Sequence, residues 1–95
     1  MTAASEPIVR SIGIVNMRGL HARASAKFVQ LVSAYDAEVV VEKDGAKVGG
    51  TSIMGLMMLA ASPGSSITVS ATGNQAREVM DALQTLIADK FGEDS

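Results

Sequence analysis

One histidine, His21, stands two residues before Arg23 in the run Asn16-Met-Arg-Gly-Leu-His-Ala-Arg-Ala-Ser25. A neutral imidazole nitrogen is a nucleophile near pH 7, because the unperturbed pKa is about 6.5. Arg23 brings a permanently charged planar fork that suits phosphate. Gly19 marks a turn just before the histidine, and a helical apolar period begins at His21. The first amides of a helix have no intrahelical partner, and the macrodipole places partial positive charge there. Such an end binds anions. A ring nitrogen in that place can accept a phosphoryl group while amides and guanidinium meet its charge. The competing reading is a loop histidine that caps a helix.

Other chemistries lack their residues. The chain has no cysteine, which removes disulfides, thiol catalysis and thiolate metal sites. One His without Cys makes a conventional zinc site improbable, so neither metal nor cofactor is expected. There is no GxxxxGK[ST] and no GxGxxG after a strand. A triad of Ser25, His21 and Asp36 can be written on paper, but so small a chain offers little pocket for a substrate. Lys and Arg number 8 against 10 Asp and Glu, a net charge of −2, which argues against nucleic acid as a partner. Aromatics are 3%, namely Phe28, Tyr35 and Phe91, too few for base stacking.

The elements that must position His21 follow from period and punctuation. Residues 8–15 alternate Ile8, Ile12 and Ile14 with Val9, Ser11, Gly13 and Val15 and predict a strand. Residues 16–20 form a loop. From His21, Ala24, Phe28, Leu31 and Tyr35 recur at helical spacing with Val32 beside them, which predicts an amphipathic helix of about 13 residues. Residues 37–42 read as a strand, Asp44-Gly45 as a hairpin turn and residues 46–49 as the return strand. Residues 53–60 are apolar all round, and a Ser cap, three Met and two Leu favour a short helix. After the turn Ser62-Pro-Gly-Ser65, residues 66–71 alternate as a strand. A last helix, capped by Thr72 or Asn74, carries the stripe Ala76, Val79, Met80, Leu83, Leu86 and Ile87.

The order βαββαβα, four strands with three helices on one side, is an α+β open-faced sandwich. With 95 residues there is room for one domain, with a core over about residues 7–91 and frayed ends, including the polar tail Gly92–Ser95. The start lacks the basic and apolar regions of a signal peptide, and no run approaches the roughly 20 apolar residues of a membrane span. A cytoplasmic protein without membrane insertion is expected.

The helix over residues 53–60 is too apolar for all of it to face one core. Its exposed part, expected at Ile53, Met54 and Met57, is a candidate binding surface, since exposed apolar patches mark such sites and Met adapts to several partners. Core is the alternative, and it must hold for some of Leu56, Met58 and Leu59. Ser52 is either an N-cap alone or a phosphorylation site, since a phosphoserine at a helix N-terminus is stabilised by amides and dipole. Asn16, Arg18 and Lys27 read as support or rim.

Gly19-Leu-His-Ala-Arg23, followed by Ala24, resembles the active-centre signature of HPr, the histidine-containing phosphocarrier of the phosphoenolpyruvate-dependent phosphotransferase system. Thr51-Ser-Ile-Met-Gly-Leu-Met57 looks like that family's regulatory segment. Length and element order agree over about residues 8–90. The resemblance implies an HPr-like fold with an antiparallel sheet, and it implies that His21 is phosphorylated on Nδ1 by enzyme I and passes the group to IIA domains. It implies that Arg23 holds the phosphate and that Ser52 is a substrate of an HPr kinase/phosphorylase. A docking surface for enzyme I and the IIA proteins would include Arg18, Leu20, Ala24, Lys27, Ile53, Met54 and Met57. Ala24 stands where Pro is more common, and Thr51 where a basic residue often stands. A carrier is not an enzyme in its own right, and a monomer is the simplest form for one face serving several partners. The alternative is a regulatory module, as in the nitrogen-related branch, whose phosphorylation state controls target binding. A third class is a small-ligand or structural domain with an incidental histidine.

Overall fold

The computed structural model describes residues 6–95; Met1–Ser5, most of the N-terminal stretch expected to fray, lie outside the described residues. The elements are β1 (Ile8–Gly13), α1 (Ala22–Ser33), β2 (Glu38–Lys43), β3 (Ala46–Gly49), α2 (Ile53–Met58), β4 (Ser66–Thr72) and α3 (Ala76–Ala88). The four strands form one antiparallel sheet in the order β1-β4-β2-β3. Alternation decides which face is covered. Ile12, Val39, Val41, Ile67, Val69 and Ala71 point inward and are buried, while Val9, Ser11, Glu38 and Ser66 on the opposite face are exposed. The inward face lies under the helices, α3 against β1 and β4, α2 against β3, and α1 between α2 and α3.

The sequence predicts the element order in full and the element ends within a few residues. β1 stops at Gly13 because Ile14 already serves the 62–65 turn: its N–H donates to the Ser65 carbonyl at 2.8 Å and its carbonyl accepts from Gly64 at 3.1 Å. The hairpin turn holds Asp44 and Gly45 at φ +52° and +85°, the hand that matches strand twist. In α1 the buried stripe is Ala24, Ser25, Phe28 and Val32, with Leu31 and Tyr35 half-buried at its margin.

Two expectations need correction, the cap of α3 and the tail. Neither Thr72 nor Asn74 caps α3: Thr72 ends β4, Gln75 is the N-cap residue, and the Asn74 amide instead donates to the Asp36 carboxylate at 2.9 Å. The expectation that some of Leu56, Met58 and Leu59 are core holds: Leu56 and Leu59 are buried and Met58 is 79% exposed. The tail is not frayed at Gly92 and Glu93. After α3 the chain turns sharply through Lys90 and Phe91, both left-handed (φ +57° and +56°), and Phe91 is fully buried. The Gly92 and Glu93 N–H groups donate to the carbonyls of Asp89 and Lys90, both at 2.9 Å. An aromatic just past the end of a helix returns the chain to the core, because burying it outweighs the entropy of a loose end.

Candidate functional site

The loop before α1 is shaped by Gly19 and Asn16. Gly19 has φ +59°, and a Cβ there would lie 2.0 Å from the Ala61 carbonyl oxygen, so only glycine allows this approach. Leu20 then donates its N–H to the same Ala61 carbonyl at 3.0 Å. Asn16 is fully buried; its amide donates to the Gly19 carbonyl at 2.9 Å and to Glu93 Oε1 at 3.0 Å. These bonds deliver His21 to the N-cap position of α1 in extended backbone (φ −73°, ψ −178°).

The His21 side chain makes no capping bond. His21 thus caps α1 through its backbone alone, and its ring is left for other partners. The backbone carbonyl of His21 accepts the first helical bond, from Ser25 at 2.9 Å, and the ring swings outward with about a fifth of its side chain exposed. Its Nε2 meets Glu93 Oε2 at 2.5 Å. Two hydrogen bonds, first from Asn16 and then from His21, hold the Glu93 carboxyl below the usual carboxylate range, with smaller help from the charges of His21 and Arg18. Beside this pair lies an open cleft of about 550 Å³ whose charged lining is Arg18, Arg23, Lys27, Glu93 and Asp94, with Met17, Gly92 and Ser95. Three cationic side chains thus border one cleft at the positive end of α1. Among the described residues no cluster of His, Asp or Glu is placed to hold a metal ion.

The structure separates the predicted site residues into groups. Arg18 and Arg23 are exposed at the cleft, as the sequence suggests. Ile53, Met54 and Met57 are exposed on α2, which packs beside α1, and Met17 adds a 70% exposed apolar side chain from the loop. Leu20 and Ala24 are corrections: at 3% and 0% exposure they belong to the core, because their side chains join the buried apolar cluster that includes Phe28 rather than facing solvent. Lys27 is not a free rim cation, since its ammonium donates to the Phe91 carbonyl at 2.6 Å. Ser25 is buried with its hydroxyl donating to the Leu20 carbonyl at 3.1 Å, and Asp36 lies beyond the other end of α1, so the paper triad does not assemble. Ser52 is exposed and is the N-cap of α2; its Oγ accepts from the Gly55 N–H at 2.9 Å. Glu93 was not anticipated as a site residue. The available signal is Phe91, a large aromatic in a polar tail, two residues before it.

Residues 8–89 match the family described as PTS HPr component phosphorylation site. The chain belongs to the HPr family of the phosphotransferase system. It is 49% identical over 84 residues to the phosphocarrier protein HPr of Cupriavidus necator, covering 88% of this chain and 94% of that protein. It is 38% identical over 86 residues to the phosphocarrier protein NPr of Shewanella violacea, covering 90% of this chain and 94% of the other. Among solved structures, HPr-C-His from Thermoanaerobacter tengcongensis matches with a TM-score of 0.88 and 44% identity, over 93% of this chain and 99% of that one. The βαββαβα order and the four-stranded antiparallel sheet are those of HPr structures. Membership supplies the class of the protein, a phosphocarrier.

Proposed function

We propose that this chain accepts a phosphoryl group from phospho-enzyme I on Nδ1 of His21 and passes it to IIA proteins. The observation that supports this best is the His21 ring itself, which stands at the N-terminus of α1 with no capping bond of its own, near a cleft bordered by Arg18 and Arg23. The Nδ1 lone pair attacks phosphorus, and the bond to the donor's leaving group breaks with its electron pair staying on the donor. Guanidinium groups and free α1 amides meet the charge of the phosphoryl oxygens. Transfer to the next acceptor reverses these steps, so the protein is a substrate of its partners. The exposed Met17, Ile53, Met54 and Met57 give those partners an apolar face next to the ring. With enzyme I and phosphoenolpyruvate the protein gains one acid-labile phosphate and His21→Ala gains none; equal labelling of His21→Ala would sink the reading.

Ser52 adds a second level. Its hydroxyl is exposed and already bound to an α2 amide, so a phosphate there keeps a helix-terminal partner and places negative charge beside Ile53 and Met54. Incubation with HPr kinase/phosphorylase and ATP labels the protein but not Ser52→Ala. The alternative, a regulatory module of the nitrogen-related branch, is supported by the similarity to NPr, though identity to HPr is the higher. Onward transfer to a IIA protein from the phosphorylated chain separates the two, because a module that acts only by binding its target transfers none.

A further inference from the structure

We propose that Glu93 is the positioning residue of the phosphoryl-transfer site, and that the turn through Lys90 and Phe91 serves to deliver it to the His21 ring. This rests on the carrier reading above. A neutral imidazole has one donor nitrogen and one acceptor nitrogen, and an ionised carboxylate can only accept. The nitrogen that meets Glu93 Oε2 at 2.5 Å, Nε2, therefore carries the hydrogen and donates it. Nδ1 is left with the lone pair, which is the nucleophile the transfer requires. The nitrogen that bears the proton is set by the hydrogen bond the ring makes.

The carboxylate is itself held in place. Asn16 Nδ2 donates to Glu93 Oε1 at 3.0 Å while also donating to the Gly19 carbonyl, so loop, ring and tail share one network. The Glu93 side chain is only 12% exposed. Behind it, Phe91 is fully buried and Lys27 from α1 donates to the Phe91 carbonyl at 2.6 Å. Two successive non-glycine residues at positive φ are unfavourable and persist only where the surroundings over-determine them. That backbone is stable here because it buries Phe91 and points Glu93 at the ring. During transfer the Nδ1–P bond forms while Nε2 keeps its hydrogen, so the ring gains positive charge. Glu93 lies against that nitrogen and offsets the charge, then remains in place as phosphorus leaves.

The test uses the full chain with ¹⁵N-labelled histidine. Long-range ¹H–¹⁵N spectra of the neutral ring report which nitrogen carries the hydrogen, independently of any partner. In the unaltered protein the Nε2–H form dominates. In Glu93→Ala the Nδ1–H form becomes populated, and phosphorylation by enzyme I slows about tenfold. Glu93→Gln, whose amide oxygen still accepts, retains the Nε2–H form but loses part of the rate. Tautomer populations in Glu93→Ala equal to those of the unaltered protein overturn the proposal. Failure of enzyme I to phosphorylate the unaltered chain would overturn the carrier reading instead, and the ring spectra would still decide the role of Glu93.

Discussion

At the scale of the residue, the site is a division of labour around one imidazole. Arg23 is exposed at the cleft, whereas Lys27 is committed to the Phe91 carbonyl. Arg23→Lys keeps charge but loses the planar fork. It is expected to slow phosphorylation by enzyme I by several-fold with the melting temperature unchanged, as single-turnover kinetics and calorimetry would show. Asn16 contributes differently, from inside the core. Asn16→Leu removes the donor to the Gly19 carbonyl and leaves that carbonyl and Glu93 without their partner, which costs about 1–3 kcal/mol in chemical denaturation. The Glu93 carboxyl also makes tail docking depend on pH. Its folded pKa is depressed by Asn16, His21 and Arg18, so its stabilisation is fully present above the ordinary carboxylate value of about 4.3 and is lost as pH falls through the folded value. Amide spectra of residues 90–93 should report an undocked tail on acidification, and Glu93→Gln should abolish this particular transition.

At the scale of the element, caps and anchors decide the geometry. α2 has six residues and is held at its start by the Ser52 hydroxyl, with Gly55 leaving room for it; a Cβ at Gly55 would lie 2.9 Å from that oxygen. Ser52→Ala should cost about 1 kcal/mol, read as a lower denaturation midpoint, independently of any phosphorylation. The tail turn depends on Phe91. Phe91→Ala opens a cavity where a fully buried ring sat and should cost about 3–5 kcal/mol, with loss of Glu93 from the ring. Amide exchange distinguishes the two consequences, since the sheet weakens everywhere while residues 90–93 lose protection altogether.

At the scale of the molecule, the fold brings two unlike surfaces together. The cleft at the start of α1 brings Arg18, Arg23 and Lys27 together with Glu93 and Asp94 in a chain that carries −2 as a whole. Next to it the α2 face exposes Ile53, Met54, Met57 and Met58, a cluster of unbranched and branched apolar groups that adapts to different partners. Met54→Lys, at a site 71% exposed, should leave stability within about 0.5 kcal/mol of the parent while weakening association with enzyme I, measured by calorimetric titration. An equal affinity would remove Met54 from the docking face.

The sequence by itself determined the element order and the place of His21 at a helix start, because these rest on local signals. They are an alternation of two in the strands, a period near four in the helices, and a glycine before His21. It also marked the exposed side of α2, since an all-apolar helix has more apolar faces than one core can cover. Only the tertiary structure decided which side chains reach the ring. Glu93 lies 72 residues beyond His21, and no local pattern ties them. Their meeting depends on Phe91 finding the core, on Asn16 being buried beneath the loop, and on Lys27 reaching across from α1. The same long-range packing placed Leu20 and Ala24 in the core and left Met58 exposed on α2. Burial depends on what packs opposite a residue, and a one-dimensional period shows the face but not the neighbour that covers it.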